Sequence, residues 1–217
     1  MTATLRKAYD TIEWSFLDKL LKTLNFPGKF VEWIMTCLSN VTYSLCMNGG
    51  LTESFKAKRG IRQGDPISPY LFVLAMEYLN REMRLLDEEG DFNYHSRCEK
   101  LKCTHICFAD DLLMFSRADV VFVKLLQEAF TKFSEASGLQ ANKDKSVVYI
   151  AGVNDTERDS IIQELGYNKG SFPFRYLGIP LDSKKLTIAG YLPLIEKITQ
   201  RITCWSARFF LMLEGYN

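Results

Sequence analysis

Asp110 and Asp111 stand side by side between two apolar segments, residues 106–109 and 112–115. Both flanks have the composition of buried β-strand, where carboxylates are costly to bury unless their charge is compensated. Neighbouring side chains of a regular strand point to opposite faces, so adjacent carboxylates converge only at a tight turn. A hairpin with both at its tip would present oxygen ligands to a hard divalent cation such as Mg²⁺. Taken alone, the pair is also compatible with an ordinary polar turn.

Residues 59–69 form a second segment with chemical potential, and they read RGIRQGDPISP. Gly60 and Gly64 permit close approach of the backbone, and the Gln63 amide is both a donor and an acceptor. The Arg62 guanidinium can contact phosphate. The helix predicted to follow points its positive end toward the same place. By itself the segment could be a glycine-rich helix start.

The surrounding sequence predicts an α+β fold in which helices pack on one antiparallel sheet that carries the carboxylate hairpin. Asp10 and Glu13 have the spacing of a capping box, and Asp65 with Pro66 predicts an N-cap followed by the first helical residue. Helices are predicted around residues 17–24 and 30–38, from 65, over about twenty residues ending at Ser137-Gly138, around 155–165, and from about Ala189. Strands are predicted at 41–47 and 51–56, in the hairpin from about 101 to 116, at 146–150 and at 174–180.

Composition narrows the class of protein. The 217 residues are 47% hydrophobic and 24% charged, which is typical of one globular unit with a single core. No apolar run approaches the ~18–20 residues that span a membrane, and the first residues lack the apolar stretch of a signal peptide. Six cysteines without a paired framework indicate free thiols in a reducing compartment. We therefore expect an intracellular protein, nuclear or cytoplasmic, with no membrane association.

Five segments together are more specific than either of the first two. They are LRKAYD at 5–10, RGIRQGDPISP at 59–69, FADD at 108–111, SGLQANKDKS at 137–146 and YLGIPL at 176–181. Their types and order resemble the palm motifs of reverse transcriptases from non-LTR (LINE-type) retrotransposons, particularly those of plant genomes. The resemblance implies a polymerase palm by fold.

The implied chemistry is RNA-directed DNA synthesis, with an RNA template, a DNA primer, deoxynucleoside triphosphates and two Mg²⁺ or Mn²⁺ ions. Asp110 and Asp111 would be the metal ligands, and Lys145 would protonate the leaving group. Nucleotide or template contacts would come from Tyr9, Arg62, Gln63 and Gly64. Primer contacts would come from Tyr176, Leu177 and Gly178.

Thr4 departs from the family pattern. The first motif begins with an aspartate six positions before Asp10, and this sequence has a threonine there. A hydroxyl is a neutral, weak ligand, and the family carries Asp10 in addition to the missing carboxylate. We therefore expect severely impaired polymerisation.

The extent of the chain raises a second expectation. Residues 1–185 would form the palm with only partial fingers, and 186–217 the start of a thumb that stops early, as in a truncated fragment.

Three other readings remain open at this stage. The chain could be an inactive retroelement remnant that binds RNA or template–primer weakly through its basic cluster, Lys56, Lys58, Arg59 and Arg62. It could be a zinc module, since His and Cys residues cluster in the sequence: His95, Cys98, Cys103, His105 and Cys107. It could also be a different two-metal enzyme such as a nuclease, although that would not explain the glycine–glutamine segment.

Overall fold

The computed structural model describes residues 1–88, 92–184 and 188–214. Contacts divide the chain into two compact units, residues 1–169 and 170–217, which are described separately below. The predicted palm–thumb boundary between residues 185 and 186 lies outside the described residues.

The described part of the chain is a mixed α+β structure, as predicted. Its helices are α1 (Ala8–Thr11), α2 (Trp14–Thr23), α3 (Gly28–Ser39), α4 (Ser68–Glu88), α5 (Val120–Ser137), α6 (Asp155–Leu165) and α7 (Ile188–Glu214). The strands of the first unit are β1 (Thr2–Thr4), β2 (Thr42–Tyr43), β3 (Cys46–Met47), β4 (Gly50–Leu51), β5 (Phe55–Lys56), β6 (His105–Phe108), β7 (Asp111–Met114), β8 (Val147–Val148) and β9 (Asn168–Lys169). The second unit adds β10 (Phe174–Tyr176) and β11 (Ile179–Leu181).

A five-stranded sheet in the order β6-β7-β1-β8-β9 forms the centre of the first unit. The β6–β7, β7–β1 and β1–β8 pairs are antiparallel, whereas β8 and β9 are parallel. The prediction of one antiparallel sheet is therefore right for four strands and wrong for the last pair. β1 was not predicted, although it lies in the middle of the sheet.

Helices α2, α4 and α5 supply most of the core that covers this sheet. Apolar residues recur along α4 at helical spacing, so that one face of the helix is buried. Its buried side chains include Leu71, Ala75, Leu79 and Met83. On α5, Phe130 and Phe133 lie in the same cluster, which also contains Ala3 and Leu112 from the sheet.

Helix ends follow the sequence in some places and not in others. Gly138 ends α5 in the left-handed region with φ of 77°, and its N–H donates to the Ser134 carbonyl, as predicted. The Asp65 carboxylate accepts from the Ile67 N–H at 3.1 Å, as an N-cap does, although regular α4 begins only at Ser68. The predicted capping box is wrong, because Asp10 lies inside α1 and the side chain of Glu13 makes no capping hydrogen bond to α2.

The second unit contains a tight hairpin and a long helix. β10 and β11 pair antiparallel, and the two turn residues between them, Leu177 and Gly178, have φ of 52° and 82°. Positive φ at both central residues is the signature of a type I′ turn, whose twist matches that of the strands. Helix α7 contains Pro193.

Candidate active site

The tip of the β6–β7 hairpin carries both aspartates, as predicted. Phe108 and Asp111 are the last paired residues, so Ala109 and Asp110 form a two-residue turn. Ala109 has φ of 50°, a left-handed value that glycine tolerates better than alanine. Asp110 is exposed at the tip, whereas Asp111 is half-buried at the start of β7. The turn thus allows two consecutive carboxylates to lie at the same end of the sheet.

Thr4 lies directly beside this pair. It is the Cα partner of Asp111 in the β1–β7 register, and its Oγ1 donates a hydrogen bond to Asp111 Oδ1 at 2.9 Å. The next peptide unit joins the same two segments, since the Leu5 N–H donates to the Asp110 carbonyl at 2.7 Å. The residue that departs from the family pattern therefore contacts one of the predicted metal ligands.

The fourth motif, residues 137–146, forms a hydrogen bond to the backbone of Thr4. The Asn142 N–H donates to the Thr4 carbonyl at 2.8 Å, and Leu5 forms an isolated bridge with Ala141. Asn142 also organises the following turn, because its Oδ1 accepts from the Asp144 N–H and its carbonyl from Ser146 Oγ. Lys145 is exposed in this turn. Asn142 was not predicted as a site residue, although Asn two residues before Asp is a typical Asx-turn pattern.

Tyr9 of the first motif, residues 5–10, contacts the second motif, residues 59–69, and helix α4. Its ring stacks on Phe72 of α4, with centroids 5.3 Å apart and an interplanar angle of 16°. The Tyr9 carbonyl accepts from the Ile61 N–H at 2.6 Å. Phe72 is buried and was not predicted, because its apolar type fits any core position.

Gly60 explains why the second motif needs a glycine at that point. A Cβ added there would lie 2.9 Å from the carbonyl oxygens of Tyr9 and Asp10, and the residue has φ of 88°. Its carbonyl accepts from the Trp14 indole N–H at 2.6 Å. The close approach that the sequence predicted is therefore to the backbone of the first motif.

Arg62, Gln63 and Gly64 lie in an exposed stretch between Ile61 and α4. Gly64 has φ of 86°, and a Cβ added to it would meet nothing within 4 Å. Their predicted contacts with nucleotide and template stay predictions. The primer-contacting residues Tyr176, Leu177 and Gly178 form the tip of the β10–β11 hairpin in the second unit, and their role likewise stays a prediction.

The donor set at the hairpin tip fits a hard divalent cation. Mg²⁺ in polymerase-type sites binds through one or two carboxylates, waters and substrate phosphates. Asp110 is exposed and forms no ion pair with another described residue. Nowhere in residues 1–88, 92–184 and 188–214 do three or more His, Cys, Asp or Glu side chains group to hold a metal.

The same observation gives no support to the zinc alternative. Cys98 Sγ lies 4.0 Å from His95 Nδ1, but Cys103 Sγ donates to the His105 carbonyl at 3.3 Å. Burial, with a smaller contribution from Arg84, lowers the pKa of His105, and burial raises the pKa of Cys107 to about 11. His105 and Cys107 therefore have the environments of ordinary residues of strand β6. The other three, His95, Cys98 and Cys103, lie in the segment before that strand.

The carboxylate hairpin β6–β7 pairs with β1, which carries Thr4, and the second motif leads into α4. This arrangement is that of a reverse transcriptase palm. The chain belongs to the family described as reverse transcriptase (RNA-dependent DNA polymerase), which matches residues 1–181.

Its relatives include polyproteins of retrotransposable elements. The Pol polyprotein of the R2 element of Popillia japonica is 26% identical over 187 residues, covering 82% of this chain and 30% of the relative. That of R2DM from Drosophila melanogaster is 27% identical over 182 residues, covering 80% of this chain and 16% of the relative. The transposon TX1 149 kDa protein of Xenopus laevis is 24% identical over 206 residues, covering 92% and 15%. The predicted resemblance to non-LTR reverse transcriptases is confirmed, and the chain spans less than a third of the length of these relatives.

No helix in the described part of the chain is long and apolar enough to cross a membrane.

Proposed function

We propose that this chain is the RNA-directed DNA polymerase domain of a LINE-type retrotransposon Pol protein, and that Thr4 leaves it with little activity. The reaction joins the primer 3′-oxygen to the α-phosphorus of a deoxynucleoside triphosphate and breaks the bond to the departing pyrophosphate. Support comes from family membership and from the convergence of the first, third and fourth motifs on one end of the sheet.

Each proposed role follows from a side chain's chemistry. Asp110 and Asp111 would hold two divalent cations, which when bound lower the pKa of the primer hydroxyl and neutralise triphosphate charge. Tyr9, held by Phe72, would lie under the sugar of the incoming nucleotide and exclude a 2′-hydroxyl. The Lys145 amine would donate a proton to the pyrophosphate as it leaves.

The remaining roles concern binding. Arg62 carries positive charge, and Gln63 and Gly64 expose an amide and backbone groups to the nucleotide and template. The turn of Tyr176, Leu177 and Gly178 would hold the primer end, with an RNA strand as template.

The Thr4–Asp111 hydrogen bond is the observation that carries the expectation of low activity. A carboxylate at position 4 would add a negative charge next to Asp111, and a hydroxyl adds none. The hydroxyl also directs a proton at Asp111 Oδ1, which competes with a cation for that oxygen. Fewer anionic ligands weaken the binding of a hard cation.

The same observation favours a second candidate function. With too few carboxylates for catalysis, the chain would act as a module that binds RNA or template–primer without extending the primer. Binding of this kind depends on basic residues and falls steeply with salt.

Primer extension on a poly(rA)/oligo(dT) duplex with Mg²⁺ or Mn²⁺ distinguishes the polymerase domain from the binding module. The comparison uses the unmodified chain, Thr4→Asp, the neutral isostere Thr4→Asn and Asp110→Ala, each checked for folding by circular dichroism. We expect Thr4→Asp to extend at least about tenfold faster than the unmodified chain, equivalent to about 1.4 kcal/mol of barrier.

Each outcome has a distinct meaning. Activity of the unmodified chain that equals that of Thr4→Asp and disappears in Asp110→Ala would show that two aspartates suffice, contrary to the expectation of impairment. Activity in Thr4→Asp but not in Thr4→Asn would assign the loss to the missing charge. Inactivity of every folded variant, with template–primer still bound, would favour the binding module.

A further inference from the structure

Residues 41–57, here called the arm, form a long β-hairpin that stands away from the core. Every residue from 42 to 51 is exposed, and none of the arm belongs to the buried core. Its tip is an Asn48-Gly49 turn with positive φ at both residues. Thr42 and Tyr43 pair with Lys56 and Phe55, whereas Cys46 pairs with Leu51, so one strand has an extra residue between the two ladders. The arm is therefore an ordered, bulged hairpin with little packing beneath it.

Two aromatic rings lie next to each other on one face of the arm. Tyr43 and Phe55 are cross-strand partners, with ring centroids 6.1 Å apart and an interplanar angle of 37°. Tyr43 is 41% exposed and Phe55 48% exposed. Leu45 and Met47 are also exposed further along the arm. Exposing adjacent apolar side chains of this kind to water is unfavourable, and such a patch indicates a binding site.

Charge indicates the chemistry of that partner. Residues 41–62 contain four basic side chains and one acidic one, while the whole chain has a net charge of only +1. Arg59 pairs with Glu13 at 3.5 Å, but Lys56, Lys58 and Arg62 form no ion pair with another described residue. Lys56 follows Phe55 in β5, so its side chain leaves the opposite face of the ladder, and its flexible stem reaches the rings only around the edge of the arm. The basic groups are thus available to a polyanion that passes along this edge.

The base of the arm is fixed to the candidate active site through the backbone. The Gly60 N–H donates to the Ile12 carbonyl at 2.8 Å, and the Ile61 N–H donates to the Tyr9 carbonyl at 2.6 Å. A strand bound along the arm would therefore continue toward the segment that carries Tyr9.

We propose that the arm binds a single-stranded nucleic acid, with bases stacked on Tyr43 and Phe55 and phosphates contacted by Lys56 and Lys58. Aromatic rings stack on any unpaired base, and basic side chains follow the backbone. The base faces of a duplex are already covered by their neighbours, so the arm should prefer a single strand. Identification of this strand as the RNA template ahead of the primer rests on the proposed function, whereas the binding itself does not.

A protein partner or a second copy of the chain would fit the apolar residues of the arm but would leave its uncompensated lysines unexplained. These occupants are therefore outcomes of the test.

Fluorescence anisotropy of a fluorescein-labelled 12-nucleotide oligo(U), in EDTA and without nucleotide, measures binding independently of catalysis. The test variant is Tyr43→Leu/Phe55→Leu, which keeps apolar side chains and removes both rings. Leu51→Ala is the control on the same arm, since Leu51 is 78% exposed and has no ring. A 12-base-pair RNA–DNA hybrid is the competing ligand, and circular dichroism checks that each variant folds.

We expect the ring-deleted variant to bind oligo(U) at least about fivefold more weakly, as loss of one stacked base implies. Leu51→Ala should bind like the unmodified chain, and binding of the hybrid should be unchanged in both. Lys56→Gln should reduce the slope of log K against log salt by about 0.7, the value for one phosphate contact on a single strand.

Equal binding of oligo(U) by the unmodified and ring-deleted chains would overturn the proposal, as would the absence of oligo(U) binding by the folded chain. Concentration-dependent dimerisation in sedimentation velocity that the ring deletion abolishes would assign the arm to a second copy instead. Because these readings require no extension, a negative result in primer extension leaves the outcome for the arm intact, and the reverse also holds.

Discussion

Thr4 places a hydroxyl where the family pattern has a carboxylate, and its hydrogen bond makes the replacement locally favourable. A charge-assisted hydrogen bond between a half-buried hydroxyl and a carboxylate stabilises a fold without any metal. Restoring the aspartate would put two negative charges side by side on adjacent strands, because Thr4 and Asp111 are register partners. The present site is therefore suited to a metal-free folded state, and under the proposed function it would bind a cation more weakly than a site with an aspartate at position 4.

The first prediction concerns the stability of Thr4→Asp. In EDTA it should be less stable than the unmodified chain by about 1–2 kcal/mol, because the carboxylates repel each other. Added Mg²⁺ should recover that loss, since a ligand that binds only the folded state stabilises it. Thermal unfolding followed by circular dichroism, in EDTA and in an excess of Mg²⁺ of about 10 mM, measures both effects.

Thr4→Asn is the matched control, because asparagine has the shape of aspartate without its charge. It should show no response to Mg²⁺ beyond that of the unmodified chain. If Thr4→Asp and Thr4→Asn unfold together in EDTA and respond equally to Mg²⁺, position 4 does not contribute to a cation site.

Gly60 and Gly64 provide a second prediction, since both have positive φ but only Gly60 lies against another backbone. Gly60→Ala should destabilise the fold by about 3 kcal/mol or more, through a clash with the carbonyls of Tyr9 and Asp10. Gly64→Ala should lose only about 1–2 kcal/mol, the cost of a left-handed conformation. Urea unfolding gives both free energies, and equal losses would refute the backbone clash as the cause.

At the scale of elements, the sequence predicted those whose signals are local. The carboxylate hairpin, α5 with its Gly138 cap, and α6 at residues 155–165 follow from periodicity and turn residues alone. β1 could not be recognised, because three residues, Thr-Ala-Thr, are too short for a pattern and are defined by their partners β7 and β8. Asp110 and Asp111 were therefore predictable as a pair, whereas the contact of Thr4 with Asp111 required the register.

The prediction for the arm was right about the hairpin and wrong about the length of its strands. Strands at 41–47 and 51–56 were predicted from the turn signal Asn48-Gly49-Gly50, but the paired segments in the structure are only two residues long each. Every residue from 42 to 51 is exposed, so no buried face fixes longer pairing in this part of the arm. Burial depends on contacts between distant segments, which local patterns do not encode.

Strand β6 gives a third prediction, on thiol reactivity. Burial raises the pKa of Cys107 to about 11, whereas Cys37 and Cys46 are exposed. At about pH 8 the thiolate fraction of Cys107 is therefore far below that of an ordinary thiol. Iodoacetamide should modify Cys37 and Cys46 at least about tenfold faster than Cys107, as measured by peptide mass spectrometry. Modification of Cys107 at the same rate in the folded chain would contradict its burial.

The same thiol makes stability depend on pH in a defined direction. Its pKa is higher in the folded chain than the ordinary 9.0, so the unfolded chain loses this proton first as pH rises. The folded state should therefore lose stability between the ordinary pKa and about 11. Urea midpoints across this range should fall less in Cys107→Ala than in the unmodified chain, and identical slopes would exclude a contribution of this thiol.

At the scale of the whole molecule, the two units differ in how they bury apolar surface. Every buried core residue of the described chain lies between Ala3 and Leu165. In the second unit, no side chain of residues 170–184 or 190–204 is buried, and Tyr191, Ile195, Ile198 and Ile202 are exposed along α7. Apolar burial is the dominant favourable term in folding, so most of the stabilisation is expected in residues 1–169.

This difference predicts unequal hydrogen exchange. Amides of α7 between 190 and 204 should exchange quickly, because a helix that buries no side chain over these residues opens at little cost in free energy and Pro193 interrupts its hydrogen bonding. Amides in α4 and α5, which lie in the core, should exchange at least about a thousandfold more slowly, since they open only near global unfolding. Hydrogen–deuterium exchange mass spectrometry of the full chain compares these helices in one sample, with a urea-unfolded sample as the reference for unprotected rates. Protection of α7 equal to that of α5 would show that its exposed apolar stripe is covered in solution.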